Sequence, residues 1–556
     1  MTSSPEYLES GSGRPLAPPQ DSSGGGGRRT GWIVGGGLVA LAVVGAGAWA
    51  AWSFFATGPQ PAEALPASTI AYVSVDLDPS GGQKIEAVRT LRKFPAFKDE
   101  IGLDTDDDIR QRIFEEIQGE GTCEDLDYGD DVEPWLGDRM AIAAVDTGED
   151  MPSPVIVLQV SDEDAADEGM AKVKDCSGGD GEASGAWAIR DGWALLGETQ
   201  DMVDEIADDA ADSPLSEDDD YTGWTDAAGD AGIATAYLAP EAGKVLADSL
   251  DGFLDPFGVL GELEGSGGMP MTYSDDASSA ECAAPCVGYA AAPVSEEVTA
   301  ALEDFKGMAA TLRFDDGSLE LEVAADPGKS QDALDGDRGG DVLSTLPDDT
   351  AAAIGMGFAD GWFGDLVDQL SGQLGGMSSD ELLDEMADQT GLDLPDDVET
   401  LMGESAALSL GGDFDLERFV NSDDGSDVPI GLKVQGDPDE IESVLDKMRS
   451  QMGSASSIVD SDSDGDLIAI GPDADYRERL LGDGDLGDSE VFENVVREAG
   501  DAAAVLFVNF DAGDWLTSIA EEDPEVAENL KPLQGLGVST WLEDDASHLV
   551  LRLTTS

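Results

Sequence analysis

The sequence predicts an α+β protein: a single N-terminal transmembrane helix, then a tandem-duplicated ectodomain with mainly antiparallel sheets and flanking helices. Three observations carry this. Residues 31–56 hold no charge across 26 positions, enough to cross a bilayer as a helix. Beyond them, β-branched runs and Asp-Gly turns mix with helical periodicity, without regular βαβ alternation. Finally, a set of segments recurs in the same order in the two halves of the remainder.

Residues 1–30 are rich in Ser, Gly and Pro, too poor in apolar side chains to build a core. A disordered cytoplasmic leader is expected there. Its charges cancel: Glu6, Glu9 and Asp21 against Arg14, Arg28 and Arg29. Trp32, Trp49 and Trp52 lie near the ends of the apolar run, as in an aromatic belt. Arg28 and Arg29 precede the run and no Lys or Arg follows until Lys84. The positive-inside rule therefore places residues 57–556 outside the cell membrane, single-pass. The run is longer than a signal-peptide core and follows a polar leader, which favours an uncleaved anchor. Gly31 and Gly35 form a GxxxG pair, read here as part of a Gly/Ala-rich helix and not as a pairing motif.

The net charge of −92 thus belongs to the outer part. Such a surface repels nucleic acid and offers no basic footprint for phosphates. A negative field attracts cations and basic partners, although solubility in a salty exterior explains it more simply. All four cysteines, Cys123, Cys176, Cys282 and Cys286, lie outside the span. An even count in an oxidising compartment points to two disulfides among three pairings; Cys123–Cys176 with Cys282–Cys286 is the favoured one. A zinc site is disfavoured, because a single His accompanies them.

After a linker at 57–64, TIAYVSVDL (69–77) reads as a strand. Helices are expected near 83–94 and 108–118, and strands at 140–145 and 155–160. A helix near 163–174 leads to a hairpin over 186–197, turning at Asp191-Gly192. Helices near 199–210 and 221–229 precede a strand at 232–238. The order then returns. LPASTIAYV (65–73) is echoed by LPDDTAAAI (346–354), and GLDTDDDI (102–109) by GLDLPDDV (391–398). VIVLQV (155–160) is echoed by PIGLKV (429–434), and AGDAGIATAYL (228–238) by AGDAAAVLFVN (499–509). WLGDRMAIAAV (135–145) matches LMGESAALSL (401–410) in position, and LRFDDGSLELEV (312–323) resembles WLEDDASHLVLRL (541–553). The copies span 65–330, with an insertion around 241–305 that holds Cys282 and Cys286, and 344–556, joined by a linker at 331–343. Two such copies packed side by side would leave a cleft as the default ligand site.

The sharpest motif is Asp460, Asp462, Asp464, Gly465 and Asp466, the first half of an EF-hand-like loop in which alternate carboxylates converge on calcium. The twelfth position is Gly471, not Glu, and the flanks read as strands, so a solvated Asp/Gly turn competes with the metal reading. GxGxxG at Gly482, Gly484 and Gly487 follows a helix-like stretch and carries Asp483 and Asp485, which disfavours a dinucleotide. His548 is the single histidine, with no GxSxG, HExxH, P-loop or CxxC in the chain. No catalytic residue is selected. The scattered Trp135, Trp187, Trp193, Trp224, Trp362, Trp515 and Trp541 read as packing residues.

The Arg28-Arg29 leader, the LPASTIAYVSVDL opening and the recurrent GLD-x-x-DD segments followed by LGD-type ones resemble membrane-anchored bacterial proteins carrying domain of unknown function 3352. The resemblance implies an envelope protein without an assigned activity. The leading expectation is a non-catalytic envelope binding or scaffold protein, its partner a protein, lipid or envelope polymer and not nucleic acid. The alternatives are a calcium-dependent adhesion or scaffold protein, and a carboxylate-based extracellular hydrolase.

Overall fold

The computed structural model describes residues 59–76, 86–87, 89–95, 108–119, 123, 126–149, 151–177, 185–249, 302–315, 317–328, 339–374, 378–415, 426, 428–482, 484–513, 528–543 and 546–556. In the first half the strands are β1 (Thr69–Asp76), β2 (Leu136–Val145), β3 (Ser153–Val160), β4 (Ala186–Arg190), β5 (Trp193–Gly197), β6 (Ala234–Leu238), β7 (Met308–Asp315) and β8 (Ser318–Ala325). Among them run helices α1 (Ile109–Gly119), α2 (Glu163–Ser177), α3 (Gln200–Asp212), α4 (Asp219–Ala227) and α5 (Pro240–Ser249). The second half opens on α6 (Gly339–Ser344). Its strands are β9 (Thr350–Gly357), β10 (Ser405–Gly411), β11 (Ile430–Gln435), β12 (Ser461–Asp464), β13 (Leu467–Ile470), β14 (Ala504–Asn509), β15 (Leu533–Glu543) and β16 (Ala546–Thr555). Its further helices are α7 (Trp362–Leu374), α8 (Ser379–Thr390), α9 (Asp396–Met402), α10 (Pro438–Met452), α11 (Ala474–Leu481) and α12 (Glu490–Val495).

Local chemistry sets these elements. The Thr199 side chain accepts from the Met202 amide at the start of α3, and Val203, Ile206, Ala207 and Ala210 fall on one buried stripe. Asp437 caps α10, with Pro438 in its first turn and Ile441, Val444 and Leu445 buried. The β4–β5 hairpin turns on Asp191 and Gly192, both at positive φ, as a two-residue type I′ connection requires.

All the described strands join one sixteen-stranded sheet, in the order β12-β13-β11-β10-β9-β14-β15-β16-β8-β7-β6-β1-β2-β3-β5-β4. Every described pair is antiparallel. Read inward from either edge, the two halves follow the same plan. Each puts its hairpin at the rim and its last strand at the centre. The halves meet where β16 pairs with β8, from Ser547 opposite Ala325 to Thr554 opposite Ser318. The expected cleft between copies is thus replaced by a hydrogen-bonded seam, because each half presents an unpaired terminal strand that the other completes.

One face of the sheet is buried under helices. In the first half Tyr72, Val157 and Leu195 pack with Ile206 of α3 and with Leu215. In the second, Ala407 and Phe507 pack with Leu343 of α6, Leu480 of α11 and Phe492 of α12.

The expectation of an N-terminal transmembrane helix is corrected. Among the described residues no helix is long and apolar enough to cross a membrane. A crossing helix needs about 20 predominantly apolar residues; α2 and α10, with 15 residues each, are studded with charge. The apolar side chains here enter strands instead. The stretch on which that expectation rested, 31–56, lies outside the described residues, as do the leader 1–30, most of the insertion around 241–305 with Cys282 and Cys286, and residues 331–338 of the linker.

Candidate apolar binding face

Side chains of a strand alternate between the two faces of its sheet. Among the described residues, the face opposite the helical layer just described is covered by helices only toward its rims. On one side Trp135 and Val160 pack with Ala166 and Met170 of α2. On the other Val434, Ile468 and Ile470 pack with Ile441 and Leu445 of α10. The strands between carry a different surface.

Leu408 of β10 stands opposite Ile354 of β9, and Ile354 opposite Leu506 of β14. Leu506 faces Val538 of β15, which faces Leu551 of β16. Across the seam Leu551 meets Leu321 of β8, and Leu321 meets Leu312 of β7. Ala234, Val75 and Met140 carry the row on through β6, β1 and β2. This row crosses ten strands, about 43 Å at roughly 4.8 Å per strand, and holds no polar side chain. A parallel row runs from Met356 through Ala504, Thr540, Leu549, Val323, Ala310, Ala236 and Val73 to Ile142 and Ile156. Its one polar group is the Thr540 hydroxyl.

Val73, Ile142, Ile354, Met356 and Leu408 are each 44–46% exposed. Single exposed apolar residues are ordinary; aligned rows of them are not, since large contiguous apolar patches mark interaction sites. An antiparallel sheet with one face in water normally puts polar residues there. Here 120 carboxylates populate the chain, and none stands in either row.

The segment 89–95 borders this face. Lys93 Nζ donates to the Thr555 carbonyl (3.0 Å) and to Thr555 Oγ1 (2.8 Å) at the end of β16. Partial burial, and then the neighbouring Arg89 charge, lower the pKa of Lys93. Arg89 is exposed, while Thr90 beside it is buried.

The motif residues fall elsewhere. Asp460 closes a 3-10 turn, and Asp462 and Asp464 belong to the rim strand β12, before the turn at Gly465 and Asp466. Asp462 pairs with Arg477 at 2.8 Å. A shallow depression beside this hairpin is lined by Asp437, Asp439, Ser463 and Asp466. Among the described residues no group of three or more His, Cys, Asp or Glu side chains is placed to hold a metal ion. Cys123 and Cys176 form a disulfide that ties the end of α2 to the loop after α1. His548 stacks on Trp541 with ring centroids 5.2 Å apart, and its Nδ1 is buried without a partner. Gly482 caps α11 and Leu486–Asp488 form a 3-10 turn. The open rows were not singled out from sequence. Their signal is that strands such as 69–76, 140–145 and 155–160 are apolar at both parities.

The fold is therefore that of an open antiparallel sheet, with helices across one face and an apolar strip on the other. Residues 33–185 match the family described as "Protein of unknown function (DUF3352)", so the chain carries that family's domain there, reaching from before β1 to the start of β4. No curated protein and no solved structure matches.

Proposed function

We propose that this chain is a non-catalytic binding protein that works outside the cytoplasm and receives the hydrocarbon chains of a lipid on its open sheet face. The observation that carries this is the uninterrupted row from Leu408 to Met140 in a chain of net charge −92. A surface held free of charge against that composition suits a partner without charge along its length. Each methylene moved from water onto such a surface contributes about 0.8 kcal/mol. A second copy of the chain is a poorer occupant, because two such charges repel wherever their rims approach. The extracytoplasmic setting is supported by the Cys123–Cys176 disulfide, since disulfides persist in oxidising compartments.

The test is direct binding of pyrene-labelled diacyl lipids to the full chain and to a variant carrying Val73→Thr, Ile142→Thr, Ile354→Thr and Leu408→Thr. Threonine keeps strand propensity while adding hydroxyls to the face. The expected result is loss of lipid binding with little change in Tm, as these side chains are nearly half exposed. Equal binding by the two proteins overturns the proposal.

A further inference from the structure

We infer that the lipid received by the sheet face carries an anionic headgroup, a phosphate or carboxylate, held by Lys93 and Arg89 at the Thr555 end of β16. This rests on the lipid reading above and gives it a polarity.

Thr555 follows Leu549, Leu551 and Leu553 at alternate positions of β16, so it continues their column on the open face. Lys93 reaches that column's end, with its ammonium on the Thr555 carbonyl and hydroxyl. Arg89 lies one turn earlier, exposed. The Arg89 charge acts on Lys93, and acidic neighbours would ordinarily relieve such like charges. Carboxylates outnumber Lys and Arg by 120 to 28 in this chain. Yet among the described residues neither Arg89 nor Lys93 pairs with one. Lys93 is half-buried beside a second cation, so an anion there would relieve both the repulsion and the burial of its charge. Guanidinium and ammonium together match phosphate oxygens well. The geometry thus points to acyl chains along the apolar rows and the head at the Thr555 end, where Lys93 meets them.

The experiment compares phosphatidylglycerol with diacylglycerol, both with the same pyrene-labelled chains, on the full-length protein at low and high salt. Phosphatidylglycerol should bind about tenfold tighter at low salt, the size of one hydrogen bond to an ionised group. High salt should narrow the gap. Arg89→Gln should bring the two lipids close together without weakening diacylglycerol. Lys93→Gln should do the same and Lys93→Arg should restore the preference; the exposed Arg89 position keeps the test valid if Lys93→Gln disturbs the fold. Equal affinities that both fall in the threonine face variant would overturn the headgroup inference and leave the lipid reading standing. No lipid binding, or binding indifferent to the face variant, would overturn both. Glycerol phosphate binding as tightly as phosphatidylglycerol would mean a free-anion site and would also overturn the inference.

Discussion

Glu320 of β8 and Arg552 of β16 meet 3.2 Å apart across the seam, their side chains only 4% and 7% exposed. Arg497, from the loop after α12, reaches the same carboxylate at 3.1 Å, and Arg313 Nε donates to it at 2.8 Å. One buried acid of the first half therefore serves two cations of the second. Glu320→Gln should cost about 3–5 kcal/mol, the penalty for leaving a buried ion without its partner. Urea unfolding of the intact chain measures it, and a cost near that of a surface pair would show that water screens the cluster.

Asp108 should contribute to the acid sensitivity of the fold. Burial raises its carboxyl, but hydrogen bonds from Arg110 and Tyr128 together with the Arg110 charge outweigh this and hold it at about 2. A folded-state value below the unfolded one contributes stability above pH about 4, which is lost as pH falls toward 2. Asp108→Asn should be less stable than the parent at neutral pH, and the two acid-unfolding curves should converge across that window. Parallel curves would remove Asp108 from the account.

The Cys123–Cys176 disulfide closes a separation of 53 residues. Constraining a loop of that length stabilises by about 4 kcal/mol in the chain-entropy account. Reduction, or Cys123→Ser with Cys176→Ser, should lower Tm accordingly. The loss should show first as proteolytic cleavage in the α1–α2 region, and an unchanged cleavage pattern would mean that the apolar packing of Trp135 against α2 alone holds that layer.

The Asp-rich hairpin should answer to salt and not to a particular cation. Asp462 is committed to Arg477, whose side chain is only 9% exposed and also donates to the Gly471 carbonyl. Calcium and magnesium at equal ionic strength should raise Tm equally, and Asp462→Asn should cost about 1 kcal/mol. A saturable rise specific to calcium would contradict this.

Much of the strand plan was legible. The runs at 69–77, 155–160 and 186–197 fall on β1, β3 and the β4–β5 hairpin, and the helices expected near 163–174 and 199–210 are α2 and α3. Alternation and turn chemistry are local, so short windows report them. The joining of β8 to β16 was not legible, because an unpaired edge looks the same in sequence whether a partner, a helix or water covers it. The open apolar rows were missed for a related reason. Val73, Ile142 and Ile354 lie in strands that are apolar at both parities, a pattern usual for strands buried on both sides. The carboxylates at 460–466 suggested a metal loop because their spacing of two is shared by an EF-hand and an extended strand; only the backbone separates the two.

The seam has one more consequence. A unit that ends in an uncovered, eight- to ten-residue strand such as β8 or β16 would offer a long open edge to any other chain. Joined tail to tail, two such units consume both sticky ends. What is left outside are the short strands β4 and β12, the latter Ser-Asp-Ser-Asp, poor templates for another chain. The pairing is self-terminating: each long edge strand is used up by the other, and the described sheet ends on short strands.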